Sequence, residues 1–396
     1  MVYYKSMKDL SLLLDYNPSK AAKPTVGQAG ALVYNNISSK VSVENILSIM
    51  RFLNATNHYY SNINIPIEIV LGPTLFSDKL TYIILECLCY NEIRKNNRDV
   101  RITLQTPKRG PLITSHGSLS SPLMLLSSPH IEKRREYVKK FQFDIYGTHF
   151  RRILYNDYID DDSLGTCMSD IVCFLKSFDV DEEAAFDIAE VITELMCNAI
   201  EHANADVLVD IDIANSYTRE GVSYYGMNVV VMNFATETIG HDLRIKMNCL
   251  QSEPKTLTGR YQTLFSAYKN HKIYFDEFYN EDSFFLLASF QDRISGRMDN
   301  NITGGTGLTT LISSLEDRAE NHLCYMISGD KKLFFPKECL EIDSDNWIKF
   351  CREGSFLTTP PDDQVLFKSP LVFPGVAYNL TFIMRERMKT NEDNTY

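Results

Sequence analysis

The stretch Val191–Asn204, VITELMCNAIEHAN, carries Glu194, Asn198 and His202 at intervals of four residues. In a helix that spacing stacks the three side chains on one stripe. Ile188, Val191, Ile192, Leu195 and Ala199 form an apolar stripe beside it, the pattern of a helix lying on a core. Asp179 stands three residues before Glu182, an aspartate version of the capping box that predicts the helix start. The polar stripe is either a solvated face or the lining of a site, and the segments downstream of it bear on the choice.

Working outward, ADVLVDIDIANSY alternates apolar Val207, Val209, Ile211 and Ile213 with mostly polar neighbours and predicts a strand. YGMNVVVMNF (Tyr225–Phe234) predicts a second strand, joined to the first by a turn around Arg219–Gly221. A long, mostly helical stretch comes next, and then DNNITGGTGLTTLISSLEDR. HLCYMISGDKKLFF suggests a hairpin turning at Gly329-Asp330, and GVAYNLTFIM (Gly375–Met384) a last strand.

A nucleoside triphosphate held by Mg²⁺ needs an amide or carboxylate oxygen to complete an octahedral shell of phosphate oxygens and waters. It needs a second carboxylate to orient and deprotonate the attacking water or hydroxyl. Its phosphates need backbone N–H groups, best supplied by a glycine-rich turn at a helix N-terminus. Asn198 and Glu194 could meet the first two needs. Gly304, Gly305 and Gly307, directly before a plausible helix, could meet the third.

Taken in that order, these segments resemble the GHKL (Bergerat-fold) superfamily of ATPases and kinases. The likeness is nearest to the anti-sigma-factor serine kinases, whose first motif reads E-x-x-x-N-A-x-x-H-A. ELMCNAIEHA (Glu194–Ala203) matches it in full. The resemblance implies a general base at Glu194, a Mg²⁺ ligand at Asn198 and a nucleotide-site histidine at His202. GGTGLTTLI implies ATP phosphate contacts from Gly304, Gly305, Thr306, Gly307, Leu308 and Thr309. Two departures stand out. The family's D-x-G-x-G motif, whose Asp accepts from the adenine amino group, is replaced by Asn233 without the following glycines; an Asn oxygen can still accept that bond. About 60 residues then separate Gly240 from Gly304, where the family places its ATP lid. This aromatic-rich segment reads as helices packed on the sheet or as a partner-binding or dimerising surface. Arg293 and Arg297 could reach a γ-phosphate.

Upstream, Ser42 caps a short amphipathic helix; IEIVLG (Ile67–Gly72) and DVRITLQ (Asp99–Gln105) are strands flanking a buried helix, SDKLTYIILECLCYNEIRK. Strand, helix and strand at this spacing predict a right-handed βαβ unit, which resembles a STAS-type domain in outline. Residues 106–135 read as an irregular connection, and the basic run Ile131–Lys140 as a solvated helix face or linker. The expected fold is α/β: a smaller N-terminal α/β domain over 1–140, and over 141–396 an α+β two-layer sandwich with helices on one face of a mixed sheet and a helical insertion at about 241–302.

Composition narrows the classes. Across 396 residues, 44% hydrophobic and 23% charged residues are ordinary for a globular chain. A net charge of −11 argues against broad nucleic-acid binding. The nine cysteines show no CxxC or Cys/His ligand spacing, which argues against a zinc site or disulfide framework. With no long apolar run, a cytoplasmic protein without a membrane span is expected. The expected function is an ATP·Mg²⁺-dependent switch that hydrolyses slowly and answers to a protein partner, in bacterial regulation or defence. A protein serine/threonine kinase, or an interaction module that has lost nucleotide, are the alternatives.

Overall fold

The computed structural model describes residues 7, 10–14, 22–27, 29–36, 40–61, 63–73, 75–105, 121–146, 148–158, 162–213, 217–219, 222–252, 259–294 and 324–385. The chain begins with three parallel strands, β1 (Leu32–Asn35), β3 (Ile67–Pro73) and β5 (Val100–Gln105), paired in that order. A minor pair, β2 (Lys40–Val41) with β4 (Leu75–Phe76), flanks them. The crossovers contain α1 (Val43–Tyr59) and α2 (Lys79–Arg94). Two successive right-handed crossovers in one direction place both helices on the same face of the sheet.

That face is roofed by a second sheet. Strands β6 (Phe143–Tyr146), β7 (His149–Leu154), β8 (Val207–Ile213), β9 (Tyr217–Arg219), β10 (Val222–Asn233), β11 (Tyr325–Phe334) and β12 (Leu366–Arg385) form it. Six of them run in the order β11-β12-β10-β8-β7-β6, with β9 paired to the far end of β10. Every pairing is antiparallel, which corrects the expected mixed sheet: β10 and β11 run in the same direction, but β12 enters between them and pairs with both, so no two hydrogen-bonded neighbours are parallel.

Alternation along the strands splits the core in two. Val207, Val209, Ile211, Val229 and Val231 face the helices α4 (Ser163–Lys176), α5 (Glu182–Ala203) and, beyond them, α6 (His241–Ser252), α7 (Arg260–His271) and α8 (Glu281–Ala288). Leu208, Val230, Met232 and Phe234 face the other way, into one cluster with α1, α2 and the parallel sheet's Ile67, Ile69 and Ile102. The fold is α+β, as the sequence predicts, and the sandwich of sheet and helices is joined on its second face by the N-terminal segment. Between two sheets α2 has no solvent side, and every residue from Lys79 to Glu92 is buried.

Three local expectations change. The helix carrying Glu194 is capped by Asp181, whose carboxylate accepts from Ala184 N–H at 3.4 Å; Asp179 sits in a left-handed turn at φ 58° instead. Tyr325–Phe334 is one strand, not a hairpin: β11 stays paired with β12 on both sides of Gly329, where the register shifts. The bulge absorbs an irregularity that reads locally as a turn. In place of an irregular connection over 106–135, its described part holds a 3-10 turn at Pro122–Ser127 and the start of α3 (Ile131–Gln142), which makes the basic run a helix and not a linker. Arg134, Tyr137 and Phe141 bury one stripe of it, and the remaining cations stay at the surface. Among the described residues no helix is long and apolar enough to cross a membrane.

Candidate functional site

The polar stripe of α5 lies at the margin of the helix's buried face. Ile188, Ile192, Leu195, Met196 and Ala199 pack into the core over the sheet, and Glu194 and Asn198 are half-buried. One turn apart on the same stripe, they make no hydrogen bond or ion pair among the described residues. Neighbouring Thr193 behaves differently, its hydroxyl donating to Ala189 O at 2.7 Å within the helix. A half-buried carboxylate beside a half-buried amide, both without protein partners among the described residues, leaves oxygens free for a cation or a water. The helix runs through His202 and stops at Asn204, which takes the left-handed conformation at φ 49°.

Asn233 ends β10, opposite Val207 on β8 and Val376 on β12. Alternation with Val229 and Val231 turns it toward the α5 side of the sheet. It is 2% exposed, and its side-chain oxygen accepts from Val376 N–H at 2.9 Å. The oxygen expected to meet adenine is thus engaged with β12. Gly375, at φ +97°, makes that approach possible, since a Cβ there would lie 2.7 Å from both Asn233 O and Oδ1. Ser328 then ties down the adjoining segment: its hydroxyl donates to Gly375 O at 2.9 Å and accepts from Ile239 N–H at 3.0 Å. Gly329, at φ +57°, passes close enough to Thr238 that a Cβ would sit 2.8 Å from its methyl group. Gly375 on β12 and Gly329 on β11 are thus close-approach positions, the first against Asn233 and the second against Thr238.

Arg293 is exposed, with Asp292 3.7 Å away. The expectations for Arg297, for Gly304, Gly305, Thr306, Gly307, Leu308 and Thr309, and for the side chain of His202 lie outside the described residues. The structure therefore brings Glu194 and Asn198 together and sets Asn233 at the end of a strand under the same helical layer.

A second polar constellation lies beneath the opposite face of the sheet, where sequence reasoning placed none. Lys79 and Glu86 come from α2, His149 and Arg151 from β7, Asp210 and Asp212 from β8, and all are buried. Lys79 Nζ pairs with Asp210 Oδ1 at 2.5 Å and with Asp212. Arg151 Nε pairs with Asp210 Oδ2 at 2.5 Å, and its Nη2 with Glu86. His149 Nε2 lies 2.8 Å from Asp210 Oδ2, and Tyr82 donates its hydroxyl to Asp212 Oδ2 at 2.7 Å. Asn228 Nδ2 donates to Asp212 Oδ1 at 2.9 Å. Burial by itself would raise the Asp210 pKa, but Arg151, His149 and Lys79 outweigh it and hold the carboxyl well below its usual range. Burial likewise pushes the Tyr82 hydroxyl well up, with Asp212 and Asp210 adding to it, so Tyr82 is a donor here and not an anion. The oxygens and ring nitrogen of His149, Asp210 and Asp212 lie within 4.8 Å of one another, the spacing of a possible metal-ligand trio.

In comparisons with protein-family models, curated proteins and solved structures, the chain matches none of them.

Proposed function

We propose that this chain binds ATP·Mg²⁺ on the free edge of α5 and acts as a nucleotide-dependent switch with slow hydrolysis. The observation that carries the reading is the pair Glu194 and Asn198, half-buried, one helical turn apart and without protein partners among the described residues. In it Asn198 Oδ1 ligates Mg²⁺ and Glu194 acts as base toward the attacking water. A cytoplasmic bacterial protein reporting its state to a protein partner, or to a second copy of itself, belongs to the same reading. Calorimetric titration with ATP and Mg²⁺, followed by a phosphate-release assay, tests it. Saturable, Mg²⁺-dependent heat is expected, with turnover that disappears in Glu194→Gln.

A second reading has its own observation. The Asn233 oxygen is engaged with Val376 N–H and its side chain is 2% exposed, which favours an interaction module without nucleotide. Absence of any heat at millimolar ATP selects this reading over the first.

A further inference from the structure

Asp210 and Asp212 stand two residues apart on β8, so both carboxylates leave the same face of the sheet and converge on α2. The cation between them is the ammonium of Lys79, the first residue of that helix. A positive charge in the first turn opposes the helix dipole, and α2 has no acidic residue there. Helix energetics therefore do not account for Lys79; the two carboxylates do. His149 adds a ring whose Nδ1 has no hydrogen-bond partner at 1% exposure.

Two carboxylates and an imidazole suit a borderline divalent ion of the Co²⁺ or Zn²⁺ type.

We propose that His149, Asp210 and Asp212 form a divalent transition-metal site that Lys79 closes, the ammonium being the resident cation and the metal its competitor. Exchange needs the first turn of α2 to lift, and no proton transfer at Lys79, which leaves as the ammonium. Because an opened ionic contact is rehydrated, a charged plug of this kind separates more readily than an apolar one. The N-terminal segment would then dock or release according to which cation fills the site.

The test is Co²⁺ titration of the full chain, by calorimetry, for wild type, Lys79→Ala and the double variant Lys79→Ala with Asp212→Asn. Lys79→Ala, which lacks the competing ammonium, is expected to bind one equivalent of Co²⁺ at least about tenfold more tightly than either wild type or the double variant. If Lys79→Ala does not fold alone, Co²⁺ should restore its native circular dichroism, because ligand binding to the folded form drives folding. A folded Lys79→Ala that binds Co²⁺ no more tightly than wild type overturns the proposal. So does an unfolded one that Co²⁺ fails to rescue, or uptake undiminished by Asp212→Asn.

Discussion

Replacing Arg151 by methionine keeps an unbranched apolar stem and removes one charge from the core. The guanidinium is 0% exposed, bonded to Asp210 and to Glu86 and stacked 5.2 Å from the Phe141 ring. Each pair, with charge centres about 4 Å apart, is worth about 4 kcal/mol at an effective dielectric near 20. Much of that is offset by the desolvation of the arginine, which the substitution also removes. Afterwards Asp210 retains Lys79 and His149, but Glu86 is left with the Ser121 hydroxyl and Leu123 N–H. The expected loss is about 3–5 kcal/mol, the range for stripping one partner from a buried ionic contact. Urea denaturation reads it as a lower midpoint at unchanged slope. The pH dependence has a definite sign. Asp210 is held below its ordinary value near 3.8, so in wild type its contribution is complete above that pH and fades as pH falls toward the folded value. In the variant, burial acts with less opposition and raises the Asp210 pKa, so the carboxyl protonates earlier. The gap between the two proteins should therefore narrow between pH 7 and pH 4. A further variant with Asp210→Asn and Glu86→Gln added should recover more than half of the loss, since no uncompensated charge is then buried. A loss under about 1 kcal/mol, or a gap equal at pH 7 and pH 4, would refute the view that this cluster is an ionised network.

The other outcomes can be checked with the same protein. Asn198→Ala should weaken Mg²⁺-dependent ATP binding by about tenfold or more, read by calorimetry; an unchanged isotherm removes it from the site. Glu194→Gln should keep binding while phosphate release falls by about 10²–10⁴-fold, and wild-type turnover in that variant would leave Glu194 a surface side chain. Gly375→Ala forces a Cβ to 2.7 Å from two oxygens of Asn233 at φ +97° and should cost about 2–3 kcal/mol; a melting temperature within a degree of wild type would show that the Asn233–Val376 contact is pliable. His271 is neutral in the fold, with Nδ1 2.5 Å from the Tyr279 hydroxyl and Nε2 2.6 Å from Phe356 O. Burial lowers its pKa, against a smaller opposite effect of the Phe356 carbonyl. Below about pH 6.5 the unfolded chain gains a proton that the folded one refuses, so stability should fall on acidification through that window. His271→Gln should flatten this part of the profile.

Periodicity alone located most of the strands and helices. The apolar stripe of Glu182–Ala203, the alternation of Val207–Ile213 and the run in Val222–Asn233 each state which face must leave water, and burial is driven by that local pattern. The stacking of Glu194 above Asn198 was equally legible, because helical geometry fixes it once the helix is granted. Other features depended on partners distant in sequence. VLVDIDI reads as a strand with one wet face, and Asp210 and Asp212 sit where solvent is expected. Only the packing of α2, some 130 residues upstream, turns that face into a closed ionic core and gives Lys79, Glu86 and Arg151 their roles. Asn233 reads as a ligand-facing acceptor until β12 brings the Val376 amide to it, and Gly375 looks like an ordinary strand residue until the close approach shows why no side chain fits. A residue's neighbours along the chain fix which way it points; the charge, water or backbone it meets is set by segments whose arrival depends on the closing of both sheets over α1 and α2.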